Sequence, residues 1–180
     1  MQNVEFKCEL REPEVARSVC ARLGARVVGI VEQRDTYYRV FDGRLKKRES
    51  TGDPTEWIKY HRQDRVTNKV SHFTLYSEEE ALERFGARPM PVWLIVEKTR
   101  EVWMLDHVRI HLDRVKHLGS FLELEALVTR KQHLGEAHRR VNELRLAFGP
   151  ILGEPIASSY SDLLDQHAAT ERHGAGRSAE

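Results

Sequence analysis

Apolar and polar residues alternate with a period of two through most of this chain, and short stretches at helical spacing interrupt the alternation. Strict alternation marks a half-buried strand, and spacing of three and four marks a helix. Residues 3–10 alternate and predict a strand. Pro13, then Val15, Ala16, Val19, Cys20 and Leu23, predict a helix that stops at Gly24. Residues 27–34 and 35–40 read as strand, with Asp42 and Gly43 turning the chain into 44–49. A second turn at 50–55 leads into a strand at 56–62, so these runs follow one another as hairpins. Residues 63–71 are polar and read as a loop, and 72–76 as a short extended piece. Ser77, with Glu80 three residues on, is a capping box that opens a helix ending near Gly86. Residues 93–100, 102–105, 108–115 and 121–129 form a second block of strands. Residues 133–148 are amphipathic and helical, and 159–164 predict a short helix or turn. The polar, small residues 166–180 predict a disordered tail. The chain therefore reads as one α+β domain over residues 1–165, with antiparallel hairpins numerous enough to close a barrel.

The strand faces are sorted by chemistry. Residues i, i+2 and i+4 of a strand share a face. Glu5, Lys7 and Glu9 share one, opposite Val4, Phe6 and Cys8. Arg44, Lys46 and Arg48 share one, as do Lys98 and Arg100. Arg109, His111 and Asp113 lie opposite Ile110 and Leu112, and Glu123 and Glu125 lie opposite Leu122, Leu124 and Ala126. A strand with one wet face explains any single case. The set is better explained if the apolar faces lie under the helices, which turns the charged faces into the interior of a barrel. A dry interior of like charges is prohibitively costly, whereas a wet tunnel that holds a polyanion and metal ions is not. Basic groups neutralise phosphates, and carboxylates hold divalent cations.

Composition narrows the classes. With 29 Lys and Arg against 28 Asp and Glu, the formal net charge is +1, so bulk charge does not point to nucleic acid. No run approaches the roughly 18 apolar residues of a membrane span, and the start, MQNVEFKCEL, lacks the apolar core of a signal peptide. Two cysteines, Cys8 and Cys20, are too few for a disulfide framework. A cytoplasmic protein with free thiols, no membrane partner and no nucleic-acid partner is the expectation.

Seven pieces in order, N-V-E-F-K, Q-R-D-T-Y-Y, G-R-L-K-K-R-E, V-E-K-T-R, I-H-L-D, L-G-S-F-L-E-L-E and S-Y-S-D-L-L, resemble the CYTH superfamily of triphosphate tunnel metalloenzymes. The spelling looks closest to the class IV adenylyl cyclase-like branch, whose relatives include thiamine triphosphatases and inorganic tripolyphosphatases. The resemblance spans about residues 3–164 and implies a closed barrel of about eight strands with helices outside. It implies Mg²⁺ or Mn²⁺ as cofactor, held by Glu5, Asp113, Glu123 and Glu125. It implies a triphosphate gripped by Lys7, Lys46, Arg48, Lys98 and Arg100, with Arg62 and Arg109 as further basic residues. Glu5, Lys7 and Glu125 are the residues it makes catalytic. The family's opening motif is Glu-x-Glu-x-Lys, and here its first Glu is Asn3, which removes one negative charge from the metal site. Three functions stay open: a cyclase that turns ATP into cyclic AMP and pyrophosphate, which the resemblance favours; a hydrolase of thiamine triphosphate or tripolyphosphate; and a module that binds a nucleotide or polyphosphate without turnover. A homodimer is equally left open.

Other residues have plainer readings. His107 and His111 are four apart on strand and turn, where that spacing builds no helical zinc pair. Trp57, Trp93 and Trp103 read as packing, as do Asp35, Thr36 and Tyr37. Cys8 lies on the apolar face and reads as core.

Overall fold

The computed structural model describes residues 2–61 and 69–175. The order is β1 (Gln2–Leu10), α1 (Pro13–Arg22), β2 (Arg26–Tyr38), β3 (Arg44–Ser50), β4 (Asp53–His61), β5 (Lys69–Tyr76), α2 (Glu78–Phe85), β6 (Val92–Leu105), β7 (Val108–Val115) and β8 (Gly119–Val128). Then come α3 (Leu134–Phe148), a 3-10 turn, β9 (Leu152–Pro155) and α4 (Tyr160–Ala175). The sheet runs β5-β4-β3-β2-β6-β7-β8-β1, and β5 pairs back onto β1. That last pairing closes an eight-stranded antiparallel barrel, with β9 as an extra strand on β1.

Closure explains where the structure departs from the pattern of the chain. The runs expected at 27–34 and 35–40 merge into one strand that stops at Tyr38, and those at 93–100 and 102–105 into another, because β2 and β6 pair along their length from Arg26 with Met104 to Tyr38 with Val92. Residues 69–71, expected in a loop, are strand, since Val70 and Ser71 pair with Val4 and Asn3. Their polarity hides a role that only the distant β1 confers. β9 had no signal of its own and exists by pairing with Cys8 and Leu10. The expected tail is helical to Ala175, continuous with the predicted short helix, while 176–180 lie outside the described residues. The capping box at Ser77 is present with both of its hydrogen bonds.

Two apolar clusters place the helices. The larger lies outside the barrel wall. It joins Val4, Phe6 and Cys8 of β1, Ile110 and Leu112 of β7, and Leu122 and Leu124 of β8 to Ala16, Val19 and Cys20 of α1 and Val141, Leu144 and Phe148 of α3. These are the apolar faces the alternation marked, so their charged counterparts point inward. The second cluster gathers Tyr37, Tyr60, Val96, Val115 and Phe121 around Tyr160 and Leu163 of α4. Cys8 and Cys20 are free and buried, and burial pushes both thiols up to about 12. No helix of the described residues is long and apolar enough to cross a membrane.

Candidate active site

The inner wall is a network of charges drawn from six strands. On one side, Asp35 of β2 is 1% exposed and is ringed by bases. Lys46 Nζ lies 2.8 Å from its Oδ2, Arg48 donates to both oxygens at 2.7 Å, and Lys98 Nζ stands 3.9 Å away. Further round the wall, Arg100 forks onto Asp113 at 2.7 and 2.6 Å and donates to Glu123 Oε2 at 2.7 Å. Lys7 Nζ lies 3.8 Å from Glu123, and Lys98 stands 3.9 Å from Asp113. The register explains the meeting: Tyr37 and Asp35 pair with Lys46 and Arg48, Arg100 with Asp113, His111 with Glu123, and Glu123 with Lys7.

The environment sets the protonation. Burial pushes the Asp35 carboxyl up, but Arg48, Lys46 and Lys98 together hold it well below the usual carboxylate range. Asp113 and Glu123 are likewise held down against burial, by Arg100 and Lys98 in one case and by Lys7 and Arg100 in the other. Burial and then Arg48 push Lys46 down to about 8, in spite of Asp35. Lys98 is lowered well below its ordinary value by burial and Arg100. A polyanion drawn into this wall therefore meets bases that gain from its arrival.

Along β8 the inner face passes from Phe121 through Glu123 to Glu125. Glu125 pairs in register with Glu5, and Asn3 Nδ2 donates to Glu125 Oε1 at 2.5 Å. Arg109, half exposed, stands 3.7 Å from Glu125. The carboxylates thus lie toward one end of the tunnel. At the other end α4 enters. Tyr160, 4% exposed, donates its hydroxyl to Asp113 Oδ2 at 2.9 Å, and Lys7 Nζ sits 4.0 Å from the centre of its ring. Ser159 and Asp162 cap the helix reciprocally, and Asp162 takes a 2.6 Å bond from Arg44. A groove of about 900 Å³ carries the outward Glu32, Arg34, Glu97 and Thr99 and reaches Lys98 of this wall.

The residues singled out from the alternation therefore come together as follows. Lys7, Lys46, Arg48, Lys98, Arg100, Asp113 and Glu123 share the network, Glu5, Glu125 and Arg109 lie beyond it, and Arg62 lies outside the described residues. Both oxygens of Asp113 accept hydrogen bonds, from Arg100 and from the Tyr160 hydroxyl. Asp35, expected from the chain to serve in packing, is instead the buried centre of an ion-pair cluster, and His111 and Tyr160 were given no role from the chain. Each had a faint signal, an inward parity or a place in a quoted motif, but which partners they meet depends on register. The tryptophans pack: Trp57 stacks on Tyr38, Trp93 meets Tyr37 edge-on, and Trp103 donates to Glu101.

A metal ion has suitable donors here in kind. Glu5, Glu123 and Glu125 offer hard oxygens on neighbouring strands, and Asn3 Oδ1 is buried without a hydrogen-bond partner among the described residues. Among the described residues, no three such groups converge ready-made, because Glu123 is held by Arg100 and Lys7.

A closed antiparallel barrel with interleaved bases and carboxylates inside and helices packed outside is a tunnel fold. The CYTH domain family matches residues 1–150, and the chain belongs to it. No protein with a curated description matches the chain. Among solved structures, the PH1012 protein of Pyrococcus horikoshii OT3 is 21% identical, with 89% of this chain and 98% of that one covered and a TM-score of 0.71. A protein of Vibrio parahaemolyticus named as a candidate adenylate cyclase is 18% identical, with coverage of 91% and 97% and a TM-score of 0.67. HpAC1 from Hippeastrum, described as a candidate adenylyl cyclase with a dominant triphosphatase activity, is 13% identical, with coverage of 93% and 96% and a TM-score of 0.57. At these identities the likeness establishes the fold.

Proposed function

We propose that this protein is a divalent-cation-dependent enzyme that acts on a triphosphate inside the barrel, with ATP cyclisation to cyclic AMP and pyrophosphate as its reaction. The observation that carries the proposal is the convergence of Lys46, Arg48, Lys98 and Arg100, from two strands, around two buried aspartates. Phosphoryl chemistry is mostly positioning and charge neutralisation, which such a wall supplies. Arg48 and Arg100 present forks to phosphate oxygens, and Lys46 and Lys98 act as point charges. A triphosphate that takes Arg100 and Lys7 as partners releases Glu123 from both. Glu123 and Glu125, with Glu5, would then hold Mg²⁺ or Mn²⁺, which when bound offsets phosphate charge and lowers the pKa of an attacking hydroxyl or water. Tyr160 and the apolar cluster close one end and exclude water there.

Hydrolysis of a triphosphate is a second reading, favoured by the triphosphatase activity ascribed to the similar Hippeastrum protein. The two differ in the attacking oxygen: a ribose hydroxyl on the α-phosphorus, or water on the γ-phosphorus. Phosphorus NMR of the products from ATP, thiamine triphosphate and tripolyphosphate separates them. Glu123→Gln with Glu125→Gln should cut turnover by about a hundredfold or more in a folded protein. Full activity of that double variant, or no turnover of any triphosphate by the wild type, would overturn the proposal.

A further inference from the structure

We propose that His111 supplies a nitrogen ligand to the divalent cation beside Glu123, and so biases the site toward manganese over magnesium. The proposal rests on the triphosphate-and-cation reading of the tunnel and adds a ligand to it. His111 sits on the inner face of β7, between Arg109 and Asp113, and its register partners are Glu123 on β8 and Val102 on β6. Its two neighbours on that face are ion-paired, Arg109 with Glu125 and Asp113 with Arg100. His111 is 4% exposed, and its Nδ1 is buried with no hydrogen-bond partner among the described residues.

Buried polar atoms are nearly always bonded, so an orphan needs an explanation. A core histidine packed among apolar side chains would be the plain one. The charged groups that act on His111 are Arg100, Glu123, Asp113 and Lys98, which makes its surroundings ionic. An imidazole nitrogen that is buried with no hydrogen-bond partner can offer its lone pair to a cation. Asn3 repeats the pattern one level along. Its Nδ2 is spent on Glu125 and its Oδ1 has no partner among the described residues, so each of the two carboxylates has an unsatisfied neutral lone pair beside it. Two lone pairs without partners, flanking two carboxylates, fit a cation that arrives with the substrate. Magnesium demands near-ideal octahedral geometry and dehydrates reluctantly, whereas manganese, a first-row transition ion that also favours oxygen, tolerates a nitrogen ligand more readily than magnesium does.

The test is pulsed electron paramagnetic resonance on Mn²⁺ bound to the full chain with tripolyphosphate, a ligand that contains no nitrogen. The wild type should show ¹⁴N modulation from a directly bonded nitrogen. Labelling histidine with ¹⁵N should replace that pattern, and His111→Gln should abolish it while Mn²⁺ still binds. Equilibrium titration should show Mn²⁺ affinity about tenfold weaker in His111→Gln, with Mg²⁺ affinity changed by less than about twofold. If His111→Gln does not fold, the labelled, unaltered protein still decides whether a histidine is bonded. Mn²⁺ binding with no nitrogen modulation overturns the proposal and leaves the tunnel's cation-dependent function standing. Failure of both ions to bind with tripolyphosphate overturns both.

Discussion

Asp35 is the residue on which the basic wall depends. Lys46 and Arg48 contact it directly, and Lys98 lies at the edge of ion-pair range. Removing one partner of a buried ion pair leaves uncompensated charge and costs about 3–5 kcal/mol. Asp35→Asn should therefore lower the melting temperature sharply, and tripolyphosphate should restore more stability to the variant than it adds to the wild type. Equal ligand-induced shifts in the two proteins would show that these bases do not meet the triphosphate. Lys46 makes a second prediction. Its pKa is lowered to about 8 in the folded protein, against an ordinary 10.5. Between those values the unfolded chain binds more protons, so this residue's contribution to stability rises with pH across the window. Bound polyanion has the opposite effect on the folded protein, since it favours the charged lysine. Triphosphate affinity should then fall as pH rises above about 8, by up to tenfold per unit for one proton. Calorimetry on wild type and Lys46→Arg checks this. Arginine keeps its proton, so the variant should lose that share of the slope, and parallel slopes would remove Lys46 from the site.

At the scale of the element, α4 is anchored through its first turns. Its N-terminus is capped by Ser159 with Asp162, and Arg44 binds Asp162 at 2.6 Å. Tyr160, in its first turn, is the side chain that bonds Asp113. Loss of a cap costs about 1 kcal/mol, which corresponds to roughly a fivefold rise in local opening. Asp162→Ala should thus speed amide exchange in the first turns of α4 by about that factor while β7 and β8 stay protected. Unchanged protection in α4 would mean that the apolar contacts of Leu163 and Leu164 hold the helix without its cap.

At the scale of the whole molecule, the tunnel is neutralised from within. Asp35, Asp113 and Glu123 are interleaved with the bases, so the wall is not a bare pile of like charge. Ligand still adds stability by mass action, about 2.7 kcal/mol at a hundred times its dissociation constant. Tripolyphosphate should raise the melting temperature several degrees more than AMP at equal concentration, because only the longer anion reaches bases on both sides of the barrel. Equal shifts from the two ligands in a thermal scan would place these side chains outside the binding site.

Much of this was written into the order of residues. Alternation on β1, β3, β7 and β8 told which side chains share a face, and the helical spacing of α1 and α3 told where the apolar faces are covered. Together they placed Lys7, Lys46, Asp113 and Glu123 on inward faces, because period and burial are local properties of a strand and its neighbours. Partnership is not local. That Asp35 gathers Lys46, Arg48 and Lys98, that His111 stands opposite Glu123 with an unsatisfied nitrogen, and that Tyr160 closes over Asp113 across 47 positions of chain depend on register and closure. β5 and β9 show the same limit, since each is strand by virtue of what β1 offers it. Sequence determined the two chemical faces of the barrel wall; only the tertiary structure decided which charges meet across it, because a strand's parity is set by its own residues and its partners are set by the whole sheet.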